Sequence, residues 1–306
     1  MSSPDFSELA ISVSGLNIWI EGKQILKDVD IHIPYGSITG FVGPNGAGKT
    51  STMKALLALN KVDSGEGEVA GFNFNQPEKY LSKVGALIET PAFYPNASAQ
   101  INLQIFAALA QAPQNSIADL LSLVGLQGAE RKNFSQFSLG MKQKLGIAAA
   151  LLKSPEILIL DEPVNGLDPE AVIDIRRILE HHRDNGTCIL ISSHLLAELE
   201  LISDRFIFID NGAISFSGTK EELFESGEKR IILKPEYGVD LNRLMEKLVQ
   251  EKFEVRACED FLELVMNDSE RLCPPAEISR MASRWGIWLD EICIKSDSLE
   301  ERFFAV

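Results

Sequence analysis

Apolar and polar residues alternate through the first forty positions, with Ile11 and Val13 and then Val29, Ile31 and Ile33 sharing a face. A period of two marks half-buried strands, and turns at Glu21-Gly22 and Pro34-Tyr35-Gly36 break the run. An unbroken apolar strand follows at 38–42, then a glycine-rich turn and a helical stretch from about Gly48 to Asn60. Residues 98–153 read as helical, with small-residue runs at Ala107-Ala108 and 148–150 suited to close helix packing. Beyond them, strands at 157–160, 188–192 and 206–209 alternate with helices at 170–185 and 195–202, and Asp210-Asn211-Gly212 turns the chain into a short hairpin. Apolar strands alternating with helices predict a parallel sheet covered on both faces.

The pattern changes at about Gly227. The expected order there is strand 230–234, helix 241–251, strand 253–257, strand 261–266, helix 275–285 and strand 287–294. The first of these helices places Leu241, Leu244, Met245, Leu248 and Val249 on one face. The order βαββαβ predicts a small ferredoxin-like module. Two domains are therefore expected, 1–226 and 227–306, with a helical subdomain at about 90–153 inside the first.

Composition narrows the picture further. The 306 residues are 45% hydrophobic and 24% charged, the balance of an ordinary folded protein. The apolar stretches 145–152 and 157–160 fall far short of the ~18 residues that a membrane-spanning helix needs. The opening MSSPDFSELA has neither the basic head nor the apolar run of a secretory signal, so a cytoplasmic chain is expected. Cys188, Cys258, Cys273 and Cys293 show no metal-ligand spacing and read as reduced, mostly buried thiols. A net charge of −15 disfavours a nucleic-acid partner.

The chemistry begins at Gly43-Pro44-Asn45-Gly46-Ala47-Gly48-Lys49-Thr50, which fits G-x-x-x-x-G-K-[ST] between a strand and a helix, with Ser51 next in line. Glycines let backbone N–H groups curl around phosphates, and the following helix points its positive end at them. Lys49 reaches the β- and γ-phosphates of a nucleotide such as ATP, and the Thr50 hydroxyl ligates Mg²⁺. Asp161-Glu162 ends the apolar run at 157–160, where parallel sheets place ligand groups. Asp161 can hold the Mg²⁺, and Glu162 can polarise an attacking water. Ser138 and the backbone around Gly140, at the start of an apolar helix, make a second anion site.

In Phe137-Ser138-Leu139-Gly140-Met141-Lys142-Gln143, upstream of Asp161, the chain resembles the ATP-binding cassette (ABC) ATPases, whose signature motif has this place and form. Asn165-Gly166-Leu167-Asp168 looks like that family's D-loop, and Ser192-Ser193-His194 like its switch histidine. The likeness covers residues 10–225. It implies a P-loop ATPase with an antiparallel β subdomain and a helical signature subdomain. It also implies a head-to-tail homodimer, in which Ser138 and Gly140 of one chain cap the ATP held by the other and His194 touches the γ-phosphate. Separate membrane permease subunits would hold the chain against the inner face of the cell membrane.

Three departures from the family pattern carry information. Leu139 and Met141 replace the usual signature glycine and glutamine. The aromatic residue that normally stacks on adenine would fall at Ile20, with Trp19 one residue away; either a bulge presents Trp19 or adenine packs on Ile20. The glutamine that touches Mg²⁺ and the attacking water is Glu89 here, within Leu87-Ile88-Glu89-Thr90-Pro91. This glutamate, the Tyr94-Pro95-Asn96 that follows, and the S-x-G-M-K-Q signature resemble the branch for bacitracin resistance and lantibiotic self-immunity. The resemblance implies ATP-driven export of peptide antibiotics. The alternative is a soluble ABC ATPase acting on ribosomes or DNA, which the single P-loop and the lack of a heptad run argue against. The ending Ser298-Leu299-Glu300-Glu301-Arg302-Phe303-Phe304 is similar to the tails of many drug- and peptide-export ATPases, leaving a regulatory or dimer-supporting module and a passive appendage both open.

Overall fold

A computed structural model describes residues 9–89, 92–113, 117–225, 229–238, 240–266, 275–295 and 298–305. The opening segment 1–8, Thr90-Pro91 beside Glu89, the expected boundary at Gly227, and Cys273 lie outside these residues. Backbone contacts divide the chain into two compact units, Met1–Lys220 and Glu221–Ala305.

The first unit opens on a hairpin of β1 (Leu9–Ile20) and β2 (Lys23–Pro34). Glu21 and Gly22 both adopt positive φ, 49° and 80°, the two-residue turn whose twist matches paired strands. Alternation places Ile11, Val13, Leu16 and Ile18 of β1 and Leu26, Val29, Ile31 and Ile33 of β2 in the core. With β4 (Ser64–Val69) and β5 (Phe72–Asn73) the hairpin forms a four-stranded antiparallel sheet in the order β2-β1-β4-β5.

A second sheet orders β3 (Ile38–Val42), β6 (Val84–Leu87), β7 (Ile157–Leu160), β8 (Cys188–Ser192), β9 (Arg205–Asp210) and β10 (Ala213–Thr219) as β10-β9-β3-β8-β7-β6. All neighbours are parallel except the β9–β10 hairpin. Every residue of β3, β7 and β8 is buried, as a sheet with both faces covered requires. The helices α1 (Lys49–Leu56), α6 (Pro169–Asp184) and α7 (Leu196–Ile202) follow β3, β7 and β8, and the short α2 (Pro77–Tyr80) precedes β6. Asp168 starts α6 by accepting the Ala171 N–H at 2.8 Å, and Ala171, Val172, Ile175, Ile178 and Leu179 form its buried stripe.

The stretch 98–153 holds three α-helices, α3 (Ala99–Ala110), α4 (Ile117–Leu123) and α5 (Leu139–Ala150). Local geometry interrupts it. Gln111 takes a left-handed φ of 53° and ends α3, and Gly125 and Gly128 also adopt positive φ before Ser138 starts α5.

The fully buried Asn102 of α3 ties down the segment that precedes the helix. Its Oδ1 accepts the Tyr94 N–H at 2.8 Å, and its Nδ2 is 3.1–3.2 Å from the carbonyls of Tyr94, Ala97 and Ser98. Asn102→Leu keeps the branched shape but leaves the Tyr94 N–H without its acceptor, while the three carbonyls keep the Ala97, Phe134 and Asn102 N–H donors, and a buried unpaired group costs about 1–3 kcal/mol. A lowered urea midpoint is the expected result; an unchanged midpoint would show that the loop re-pairs.

The second unit contains β11 (Lys229–Pro235), β12 (Val255–Ala257), β13 (Leu262–Met266) and β14 (Leu289–Lys295), with α8 (Lys220–Glu225) leading into it and α9 (Asp240–Gln250), α10 (Pro275–Arg284) and α11 (Leu299–Ala305) following in chain order. The strands lie in the order β12-β13-β11-β14 with every neighbour antiparallel, the ferredoxin-like arrangement. Ile231, Leu233, Leu262 and Leu264 from the sheet pack with Leu244 and Leu248 of α9 and Ile278 and Ala282 of α10. Among the described residues, no helix is long and apolar enough to cross a membrane.

Candidate functional site

The site sits where three neighbouring parallel strands, β3, β8 and β7, reach their carboxyl ends. From β3 the chain passes through residues 43–48 into α1, and packing compels two of the glycines in this loop. A Cβ on Gly43 would stand 2.3 Å from the Ile209 carbonyl oxygen. Gly48 adopts φ 115°, and a Cβ there would stand 2.7 Å from Leu26 Cδ2. The loop can thus curl against the core and present the start of α1.

Lys49 is only 7% exposed, and its ammonium donates to the Gly43 carbonyl at 2.6 Å and the Pro44 carbonyl at 3.2 Å. Burial lowers its pKa, while the carboxylates of Glu162 and Asp161 oppose that shift. Thr50 Oγ1 donates to Asp161 Oδ2 at 2.6 Å, and Ser192 Oγ donates to Asp161 Oδ1 at 2.5 Å. Ser192 Oγ also accepts the Glu162 N–H at 2.9 Å. One serine from β8 therefore fixes both acidic residues at the end of β7.

Glu162 turns out of its strand with φ 51°, a sparsely populated region for a non-glycine residue. Its Oε2 lies 2.7 Å from His194 Nδ1 and accepts the His194 N–H at 3.3 Å. Its carbonyl accepts the Asn165 N–H at 3.3 Å, which ties residues 162–165 into a turn ahead of α6.

A cavity opens beside the loop. Its walls are Asn45, Gly46 and Gly48 of the loop, Lys49, Thr50 and Ser51 of α1, the pair Asp161 and Glu162, and Lys23 and Ile25 of β2. One side offers an ammonium and a helix N-terminus, suited to anionic phosphates. The other offers the Thr50 hydroxyl and the Asp161 carboxylate, an all-oxygen donor pair that fits a hard divalent cation such as Mg²⁺. Among the described residues no group of three or more His, Cys, Asp or Glu is placed to hold a metal. A cation here would complete its shell with phosphate and water oxygens, as Mg²⁺ commonly does.

The structure brings Lys49, Thr50, Ser51, Asp161 and Glu162 to this cavity, with His194 joined through Glu162. Other expected residues lie apart from its walls. Ser138 N-caps α5, its Oγ accepting the Met141 N–H at 3.3 Å, and Gly140 lies where a Cβ would stand 3.0 Å from Ala171 Cβ. Trp19 is 54% exposed at a register shift between Ile18 and Trp19, and Ile20 is exposed as well. Glu89 pairs with Lys54 of α1 at 2.7 Å, and that ammonium holds its carboxyl below the usual carboxylate range. Lys23, Ile25 and the linking role of Ser192 were not expected. They follow from strand pairing that leaves no local motif.

Residues 26–165 match the ABC transporter family. The chain is similar to the bacitracin transport ATP-binding protein BcrA of Enterococcus faecalis, at 37% identity over 301 residues covering 97% of this chain and 96% of that one. It is 36% identical to BcrA of Bacillus licheniformis over 296 residues, 96% of this chain and 95% of the relative. It is also 40% identical to the lantibiotic transport ATP-binding protein SrtF of Streptococcus pyogenes over 210 residues, 67% of this chain and 91% of the relative. Among solved structures, an ATP-binding subunit of an ABC transporter superposes with a TM-score of 0.64 at 28% identity, covering 70% of this chain and 92% of the other.

Proposed function

The chain belongs to the ATP-binding proteins of ABC transporters, and from that premise we propose that it powers export of peptide antibiotics through separate permease chains, giving self-immunity or resistance. It is an ATPase that couples hydrolysis to transport. The likeness to the two bacitracin transport proteins supports the peptide-antibiotic substrate, because it runs through both units and not only through the nucleotide-binding one.

The observation that carries the mechanism is the hydrogen-bonded chain Thr50–Asp161–Ser192–Glu162–His194. Residues 43–51 cradle the ATP phosphates, and Lys49 lies against the β- and γ-phosphates. Thr50 and Asp161 would hold Mg²⁺, which neutralises phosphate charge when bound. Glu162 takes the proton of the attacking water, and His194 orients Glu162 and reaches the γ-phosphate. Adenine rests near the β1–β2 hairpin, against Trp19 or Ile20 with Ile25 beside the loop. Two chains assemble head to tail, Ser138 and Gly140 of each closing the other's site. Permease subunits hold the dimer at the inner face of the cell membrane.

Cells expressing this chain with its permease, challenged with bacitracin and with a lantibiotic, test the reading. Tolerance that vanishes in the Glu162→Gln variant supports it, and unchanged sensitivity to both compounds removes the substrate class.

Glu89 gives a finer prediction. The Lys54 ammonium offsets the negative charge that a glutamate brings at this position. Glu89→Gln is therefore expected to leave ATPase of the isolated chain nearly unchanged, while Glu89→Ala impairs antibiotic tolerance in cells more than Glu89→Gln does. Parallel measurements of purified ATPase and cellular tolerance check this, and full tolerance in Glu89→Ala would reduce Glu89 to a solvated loop carboxylate.

A further inference from the structure

Strand β14 forms one edge of the C-terminal sheet; it pairs with β11, and among the described residues no strand lies on its other side. Such an edge presents a row of backbone donors and acceptors able to pair with another chain. Its counterpart at the other edge, β12, is only three residues long.

The regular part of β14 is symmetric in its chemistry. The register with β11 runs without interruption from Glu291 to Lys295 and shifts before Leu289, so the ordered stretch is Glu291-Ile292-Cys293-Ile294-Lys295 with Cys293 at its centre. Ile292 packs toward the α9–α10 core, and Ile294, two residues on, shares that face yet is 54% exposed. Glu291, Cys293 and Lys295 alternate onto the opposite face, so Cys293 is exposed, against the expectation of mostly buried thiols, which Cys188 alone meets among the described cysteines.

We propose that β14 is an interface for a second copy of this chain, the two strands pairing antiparallel about a twofold axis at Cys293 into one eight-stranded sheet. In that register Ile292 of each strand stands opposite Ile294 of the other, covering the exposed isoleucine. Glu291 stands opposite Lys295 twice, and since Lys295 is half exposed and 3.6 Å from Glu301 of its own chain, each lysine would sit between two carboxylates. A register centred one residue earlier would put Glu291 opposite Cys293 and lose both matches. Directly opposed antiparallel residues share a face and interact as pairs, which makes this self-complementarity favourable. Five residue pairs make a small interface, which becomes effective when the chains are already held together. The inference deepens the dimeric reading above and rests on its premise that two chains assemble.

The twofold supplies its own reporter. Opposed residues in antiparallel strands have Cα atoms about 4.5–5.5 Å apart, within the range a disulfide spans. In the full-length chain carrying Cys258→Ser and Cys273→Ser, diamide, which takes up the two thiol hydrogens, is expected to link Cys293 to its copy. The rate should be at least about tenfold that of a collision control, Cys293→Ser with Arg256→Cys on the opposite edge, because pairing raises the local thiol concentration. Glu291→Lys, which sets lysine against Lys295 of the other copy, should slow the link several-fold, and added salt should narrow the difference. A rate no higher than the control overturns the interface, and a fast link indifferent to Glu291→Lys overturns the register. ATP-dependent dimerisation of Glu162→Gln, followed by gel filtration, separates this from the nucleotide-sandwich reading. A dimer without the Cys293 link removes the strand pairing alone. The link without an ATP-dependent dimer removes the sandwich alone.

Discussion

Glu162→Gln is expected to keep ATP bound while lowering turnover by about 10²–10⁴-fold, the usual contribution of a general base. The amide matches the carboxylate in size and can still accept from the His194 backbone N–H, which lies 3.3 Å from Oε2. It cannot take a proton from water. The backbone should hold its place, since the Glu162 N–H remains bonded to Ser192 Oγ at 2.9 Å and does not depend on the side chain. With hydrolysis blocked and binding intact, the variant should accumulate as an ATP-bound dimer on gel filtration. Steady-state phosphate release and nucleotide-binding titrations separate the two effects. Turnover near that of the unaltered chain would remove Glu162 from the mechanism.

Lys49→Ala is expected to weaken nucleotide binding and abolish hydrolysis, because the phosphates lose their fixed cation. In the structure the Lys49 ammonium lies on the Gly43 and Pro44 carbonyls, at the mouth of the loop that would receive those phosphates. Ser138→Arg places bulk and charge at the start of α5. It should leave ATP binding to a single chain intact yet block hydrolysis, since Ser138 lies apart from the cavity walls of its own chain. Mixing the two inactive variants is the sharper measurement. A head-to-tail dimer of one Lys49→Ala chain and one Ser138→Arg chain contains one complete site, made of the loop of the latter and the signature of the former. Partial recovery of hydrolysis on mixing is the expected result. Full activity of Ser138→Arg alone would show that each site is built within one chain.

The glycine-rich loop, Asp161-Glu162, the helix that starts at Ser138, and the βαββαβ order of the C-terminal unit were legible in the sequence because each is local. A glycine-rich turn, a carboxylate at the end of an apolar strand, and a serine before a helix carry their physics within a few residues. The helical reading of 98–153 did not place its breaks, for a related reason. Apolar composition runs through the segment, but the left-handed turn at Gln111 and the bends near Gly125 and Gly128 are backbone choices that composition does not record. Tertiary structure alone decided the rest. It set Ser192 between Asp161 and Glu162, because β8 lies beside β7 in the sheet. It brought Lys23 and Ile25 from the first hairpin to the glycine-rich loop, and it gave Glu89 its Lys54 partner. These neighbours are far apart in the chain, and only strand register and helix packing bring them within bonding distance.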